Sequence, residues 1–266
     1  MTNSTTSKDF KSHGFLAPDI KSTTDSIRKE NTELFSLLLD MNSTFQKILI
    51  KGTEKHHKST MNVKVIATFA AIRSAENFQA AIMMIERGMI TQARIMARCL
   101  YENAFCIGAL AENPERFLSL LKGDNIAAKR GQAKALKDGS QTLTSDLQII
   151  IEKHLSGEKG RHLMWNEIAE MSSLKRDYVF YKLLSDDAMH LSASSLNRYM
   201  VTNPDGKTWQ GYNFGPGTNS EILESAKLCA SPMIAIIIGY LQATDDPSFD
   251  SKVRALINRY EDLKSL

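Results

Sequence analysis

The sequence predicts an all-α protein, a multi-helix up-and-down bundle with a small loop or hairpin insertion near residues 201–217. Apolar residues recur at steps of three and four over long stretches, which is the period of an α-helix. Helix breakers are scarce, with 6 Pro and 14 Gly in 266 residues, so long helices have few interruptions. The densest turn signals, PDG and GPG, both fall in the insertion.

The bulk composition predicts a globular chain in a reducing compartment. A content of 42% hydrophobic and 24% charged residues is sufficient for a buried core. The net charge of +3 is too small to indicate a dedicated nucleic-acid-binding protein. Three cysteines cannot form a disulfide framework, and the polar N-terminus does not resemble a signal peptide. We therefore expect a cytoplasmic protein without a bound cofactor.

The most apolar stretch, residues 229–241, is shorter than the ~20 residues that a membrane span requires. It is interpreted as a buried helix, and no membrane partner is expected. Residues 1–20 are rich in Ser, Thr and Lys without a helical period, which predicts a disordered N-terminal arm. Residues 21–266 are predicted to form a single helical domain.

Two long helices are predicted at about 61–87 and 90–112, joined at Gly88. So short a connection makes them antiparallel neighbours. Shorter helices are expected between 114 and 157, with separate segments before and after residue 123. A further helix is expected, either at 177–190 or at 177–200, and two more close the chain at about 220–243 and 248–263.

The second long helix carries the polar residues Arg94, Arg98 and Glu102, each four residues from the next. This spacing places the three side chains on one face of the helix. Most neighbouring positions are apolar, and a charge beside a core is costly unless it is paired. The pattern therefore indicates an internal polar group.

The helix at 177–190 carries Tyr181, Ser185 and His190 on roughly one face, and Asp186 lies four residues before His190. If this helix packs on the one that holds Arg98, the side chains meet. The candidate site is therefore Arg98, Glu102, Tyr181, Ser185 and His190.

Three interpretations of this group stay open. A structural network is the first, since buried polar networks commonly fix packing. The second is acid–base chemistry, with His190 moving a proton and Arg98 holding a phosphate. A metal site on Glu102, Asp186 and His190 has the least support, because it contains one His and no Glu-x-x-His spacing. No Gly-rich phosphate loop, G-x-S-x-G or Cys-x-x-Cys motif is present.

Two segments resemble the blocks of a widespread uncharacterised bacterial family. ERGMITQARIMARCLYENAF matches a helix with Arg-x-x-x-Glu, and MWNEIAEMSSLKRDYVFYKLLSDDAMHLSASSLNRY matches a later block with Tyr-x-x-Leu-Ser and then His. Together the blocks and their spacing cover about residues 60–240. The resemblance implies an all-helical bundle, places the polar positions of the family on the five candidate residues, and implies no established activity.

Members of this kind look similar to proteins of phage-defence and toxin settings. The resemblance thus suggests an effector or binding module of bacterial defence or stress response. In that interpretation, we expect the loop at 201–217 to form part of a recognition surface. The alternative is an RNA- or nucleotide-directed hydrolase that uses His190 and Arg98. The helical ribonucleases with a His a few residues after an Arg are a poor match, because no Arg here has a His at that distance.

The expected partners are RNA or a nucleotide, and a second copy of the chain bound through the apolar C-terminal helices. A basic run also occurs along one predicted helix, and it is interpreted as a solvated face. Its members are Lys122, Lys129, Arg130, Lys134 and Lys137.

Overall fold

A computed structural model describes residues 8–54, 59–139, 142–203, 205–206 and 208–264, and within them the chain is all-α with one small hairpin. This confirms the predicted fold class. The helices are α1 (Lys8–His13), α2 (Ile20–Glu30), α3 (Thr32–Thr53), α4 (Val63–Ile85), α5 (Ile90–Glu112), α6 (Pro114–Gly139), α7 (Ser145–Ser156), α8 (Trp165–Glu170), α9 (Tyr178–Leu184), α10 (Ala193–Asn197), α11 (Asn219–Thr244) and α12 (Asp250–Lys264). The strands are β1 (Met200–Thr202) and β2 (Trp209–Tyr212).

Three helices, α4, α5 and α11, pack against one another at the centre, and α3 covers one side. Fully buried alanines such as Ala71 on α4 and Ala97 on α5 allow the helices to approach closely. Larger side chains, among them Phe78 and Phe105, fill the remaining space. As predicted, α4 and α5 are joined by a tight turn, in which Gly88 adopts a φ of +73° that favours glycine.

The helix α11 is longer than the apolar stretch at 229–241 and continues through Pro232. By length and composition it could cross a membrane, with a mean hydropathy of 1.6 over its most apolar 18 residues. Of that window, 56% is buried inside the molecule, where α11 lies against α4 and α5. Its apolar composition therefore matches its central position in the bundle.

The structure differs from the sequence expectation at the N-terminus and in α6. Residues 1–7 of the predicted disordered arm lie outside the described residues, but α1 follows, and its Phe10 is buried against Phe15 with ring centroids 5.1 Å apart. The expected break near residue 123 does not occur. Instead α6 runs unbroken through Gly123, whose carbonyl also accepts a hydrogen bond from the Arg161 amide.

The insertion, predicted as a small loop or hairpin, is a hairpin. Strands β1 and β2 pair antiparallel with Met200 opposite Tyr212, and the register is irregular between Val201 and Thr202. The hairpin is attached to the bundle near the turn between α4 and α5, where the Gly217 amide donates to the Gly88 carbonyl at 2.8 Å.

Candidate functional site

One face of α5 holds a row of polar side chains that we call the polar ridge: Thr91, Arg94, Arg98 and Glu102. Their spacing of three and four residues keeps them in line along the helix. The ridge faces residues 178–199, which comprise α9, a π-helical turn at Ser185–Met189 and α10. The two regions predicted to meet are therefore in contact.

Arg98 occupies the centre of this contact. Its Nε donates to Ser185 Oγ at 2.9 Å, and its Nη2 donates to the Tyr181 hydroxyl at 3.0 Å. The same Nη2 lies 3.0 Å from Oε1 of Glu102. The side chains of Arg98 and Glu102 are only 16% and 15% exposed, so the ion pair is largely withdrawn from water. Four of the five predicted site residues are thus brought together.

Aromatic rings surround the guanidinium. The Tyr181 ring lies under Arg98 Cζ, 4.9 Å from the ring centroid, which is a favourable cation–π geometry. Tyr181 also stacks on Tyr178 at 5.5 Å and contacts Phe105 and Trp165 at 6.1 and 6.2 Å. The rings exclude water from one side of the group and strengthen the charge interactions there.

Burial dominates the titration of the carboxyl group. It raises the pKa of Glu102 above its ordinary value of 4.5, against the opposing effect of Arg98, of Arg73 on α4 and of a hydrogen bond with Tyr181. Burial likewise raises the pKa of the Tyr181 hydroxyl. Withdrawal from water therefore favours the protonated form of Glu102 relative to a carboxyl group in solution.

Arg94 makes the second set of contacts on the ridge. Its Nη1 donates to Asp187 at 2.7 Å, its Nη2 to Glu224 of α11 at 2.7 Å and its Nε to Ser225 at 3.2 Å. The sequence showed that Arg94 lies on the same face as Arg98, but it gave no signal for these partners, which lie far along the chain. Arg94 connects three elements at one point.

The prediction that His190 belongs to an internal network is wrong. His190 is exposed and makes no hydrogen bond or ion pair with any residue that the structure describes. The reason is the π-helical turn at Ser185–Met189, which adds a residue to the turn and shifts the side chains that follow. His190 itself leaves the helix with extended φ and ψ of −116° and 144°.

The same turn changes the partners of the two aspartates. Asp187, rather than Asp186, points to the polar ridge and pairs with Arg94. Asp186 accepts a hydrogen bond from Ser194 of α10 at 2.8 Å. The predicted pairing of Asp186 with His190 assumed regular α-helical spacing, and no such pairing occurs among the described contacts.

The far end of the ridge holds the hairpin. The Thr91 hydroxyl lies 3.0 Å from the hydroxyl of Tyr199, immediately before β1. Arg198 donates to Glu221 of α11 at 3.2 Å, and the Asn213 side chain donates to the Arg198 carbonyl at 3.2 Å. These contacts hold both ends of the hairpin against α5 and α11.

Three aromatic residues of the hairpin face solvent, and we call them the hairpin surface. Trp209, Tyr212 and Phe214 are 59%, 76% and 73% exposed. Trp209 and Tyr212 contact each other edge to face at 5.3 Å. Exposed aromatic clusters of this kind are typical of binding surfaces.

The part of the chain that the structure describes offers little support for a metal site or a reactive cysteine. There, no group of three or more His, Cys, Asp or Glu side chains is placed to hold a metal ion. Burial raises the pKa of Cys106 and Cys229 to about 12, so both thiols are protonated at neutral pH and are poor nucleophiles.

Arg98 is also poorly placed to bind a phosphate. A guanidinium can hold an oxyanion with two parallel hydrogen bonds along either of two edges. One edge consists of Nε and Nη2 and the other of Nη1 and Nη2, so both edges include Nη2. Nη2 donates to the Tyr181 hydroxyl and lies 3.0 Å from Glu102 in an ion pair, and Nε donates to Ser185. The arrangement can fasten α9 to α5, and each edge contains at least one donor that the protein itself already engages.

Comparison with known proteins identifies the family but no activity. A family of unknown function, DUF5677, matches residues 64–208, which is more than half of the chain and includes the whole polar ridge. No curated protein and no solved structure matches the chain. The prediction that the chain resembles a family of unknown function is thereby confirmed. The chain belongs to the family of unknown function DUF5677.

Proposed function

We propose that this chain is a helical binding module of bacterial defence or stress response, in which the Arg98 cluster is structural and the hairpin surface is the recognition surface. The observation that carries the proposal is the occupation of Arg98 by Tyr181, Ser185 and Glu102. A guanidinium engaged by its own chain in this way holds two helices together.

The hairpin surface supplies the binding part of the proposal. Strands β1 and β2 contain no charged residue, and nucleic-acid surfaces combine aromatic residues with a positive groove. Trp and Tyr are also the residues that contribute most to protein interfaces. The partner we propose is therefore a protein with an apolar pocket or patch.

The alternative, a hydrolase acting on RNA or a nucleotide, is less well supported by the geometry. It requires His190 and Arg98 to act on one substrate, but His190 is exposed and makes no hydrogen bond or ion pair with the described residues of the Arg98 cluster. The proposed pairing of two chains through the C-terminal helices also stays a prediction. Most apolar side chains of α11 are already buried within the chain.

The test is expression in bacteria of the wild type, His190→Ala and the double variant Trp209→Ala/Tyr212→Ala, with growth during phage challenge and RNA integrity as readouts. We expect His190→Ala to behave as wild type with intact RNA, and the double variant to lose the effect without a change in melting temperature. Phe69→Ala is the matched control, because Phe69 of α4 is 57% exposed but lies outside the hairpin.

Loss of the growth phenotype in His190→Ala, together with RNA cleavage in the wild type, would contradict the proposal and support the hydrolase. Equal loss in Phe69→Ala and in the double variant would show that the hairpin surface has no special role. In either case the recognition surface proposed for the hairpin would be abandoned.

A further inference from the structure

A groove of about 320 Å³ lies between α6, the end of α7 and the loop that follows α7. Its basic members form what we call the basic groove: Arg130, Lys134, Lys159, Arg161 and His162. The remaining lining is small or apolar, from Ala127, Gly131, Leu155 and Gly160. No acidic side chain is among the lining residues, so four permanent positive charges face one concave volume.

Two of these cations have no partner in the described part of the chain. Lys134 and Lys159 make no ion pair or hydrogen bond with any described residue. Arg161 pairs with Glu167 at 2.5 Å, and His162 lies 3.1 Å from Asp124. The two unpaired ammonium groups leave an excess of positive charge in the groove.

The walls of the groove are fixed rather than loosely placed. The Arg130 guanidinium donates through Nη1 to the carbonyls of Leu155 and Gly157, which holds the end of α7 against α6. Its Nε and Nη2 have no hydrogen-bond partner among the described residues. Arg130 therefore keeps one bidentate edge free, in contrast to Arg98.

The loop is held on the other side by its backbone. The Arg161 amide donates to the Gly123 carbonyl at 3.2 Å, and the Leu163 amide donates to Asp124 Oδ1 at 3.1 Å. Gly160 has a φ of +61°, and a Cβ there would lie 2.3 Å from the Gly123 carbonyl oxygen. The loop thus rests directly on the backbone of α6, which requires glycine at this position.

We propose that the basic groove is a binding site for a small phosphate-bearing molecule, of the class of nucleoside phosphates. The free edge of Arg130 and the amines of Lys134 and Lys159 are the groups that would hold the phosphates. The apolar lining around Ala127 and Leu155 would face the uncharged part of the ligand. The volume falls at the small end of the range of about 300–1,000 Å³ for such sites. This site is separate from the hairpin surface, and the proposal does not depend on the proposed function.

The test is calorimetric titration of the full chain with ATP, inorganic phosphate, adenosine and a short single-stranded RNA. We expect ATP to bind, phosphate to bind more weakly and adenosine not to bind. The variant Lys134→Glu/Lys159→Glu should weaken ATP binding by at least ~10-fold, because it reverses two charges at the groove. The matched control is Lys122→Glu/Lys137→Glu, which makes the same change of charge on exposed lysines of α6 outside the groove.

A second variant tests the groove by shape. At Gly131 a Cβ would meet no atom within 4 Å, so Gly131→Glu should fold normally while it places an acid in the groove and abolishes ATP binding. The proposal is overturned if ATP does not bind, if adenosine binds as well as ATP, or if the two double variants lose equal affinity. RNA that binds more tightly than ATP and loses equal affinity in both double variants would indicate an extended basic face instead.

Discussion

Arg98 of α5 and Lys134 of α6 are both cations on long helices of the same bundle, but their surroundings differ. Arg98 is 16% exposed, lies over the ring of Tyr181 and is bound by three side chains of its own chain. Lys134 is exposed, lines an open groove and has no partner among the described residues. A cation whose donors are hydrogen-bonded or ion-paired within its own chain contributes to the stability of the fold. A cation without such partners in a concave site is available to a ligand.

The two regions also differ in how conspicuous they are in the sequence. Arg98 and Glu102 have the more conspicuous pattern in the sequence, but in the structure they are engaged in an ion pair within the bundle. The basic run on α6 resembles an ordinary solvated face until the loop at 157–164 closes over part of it. We therefore expect mutations in the two regions to have opposite signatures, one in stability and the other in binding.

The largest expected effect is that of Arg98→Ala. It leaves the Glu102 carboxylate, which is only 15% exposed, without its ion-pair partner, and we expect a loss of ~3–5 kcal/mol in the free energy of unfolding. Urea denaturation followed by circular dichroism measures it. Lys134→Ala should stay within ~0.5 kcal/mol of the wild type. A similar loss in both variants would remove the distinction between the two regions.

The next effect concerns the wall of the basic groove. Gly160→Ala introduces a Cβ that would lie 2.3 Å from the Gly123 carbonyl oxygen and 2.5 Å from the Ala127 amide nitrogen. Because both neighbours are backbone atoms, the loop must move, and we expect a loss of about 1–3 kcal/mol. Gly131→Ala, where a Cβ meets nothing within 4 Å, should instead gain about 0.5–1 kcal/mol as a helix-interior substitution. Thermal melts of the two variants test both expectations. A wild-type melting temperature for Gly160→Ala would mean that the loop is not packed against the backbone of α6.

A smaller effect is expected for Tyr181→Phe, which removes the hydroxyl that accepts from Arg98 and keeps the ring under it. The expected loss is about 1–2 kcal/mol, because a buried donor is left without its acceptor. Tyr178→Phe is the control, since the Tyr178 hydroxyl has no hydrogen-bond partner among the described residues. Equal effects of the two substitutions in urea denaturation would argue that only the rings matter.

The smallest effect is a dependence on pH. Burial raises the folded-state pKa of Glu102 above 4.5, so the folded chain binds this proton more tightly than the unfolded chain. The resulting stabilisation is present below pH 4.5 and is lost as the pH rises through the raised pKa. Glu102→Gln should therefore become more stable relative to wild type as the pH rises from below 4.5 to neutral. The opposite slope in unfolding titrations would mean that the attraction of Arg98 outweighs burial.

The helical period and the scarcity of breakers were sufficient to predict the all-α fold and the α4–α5 pair. The turn signals PDG and GPG marked the insertion, but they did not decide between a loop and a hairpin. Spacing on one face was sufficient to predict that Arg98 and Glu102 lie together. That α9 faces them was an assumption about helix packing, which the structure bears out. Spacing failed at His190, because a π-helical turn has no clear signature in the residues Ser185–Met189. Spacing also could not reveal Asp187 and Glu224 as partners of Arg94, since these contacts depend on how distant helices are docked.

The basic groove could not be predicted for a related reason. The sequence shows Lys134 and Lys159 as members of two separate polar stretches, 25 positions apart. They share a groove only because Gly160 allows the loop to rest on α6. A left-handed glycine in a polar loop is not distinguishable in the sequence from any other turn residue.

The most direct test of the structural role of the polar ridge is amide hydrogen exchange in Arg98→Lys, which keeps the charge but loses the fork of donors that binds Tyr181, Ser185 and Glu102. Faster exchange confined to residues 178–199, with α11 still protected and any nucleic-acid-directed activity unchanged, is the result that we expect. Wild-type exchange rates in residues 178–199 would contradict the conclusion that Arg98 fastens this segment to α5.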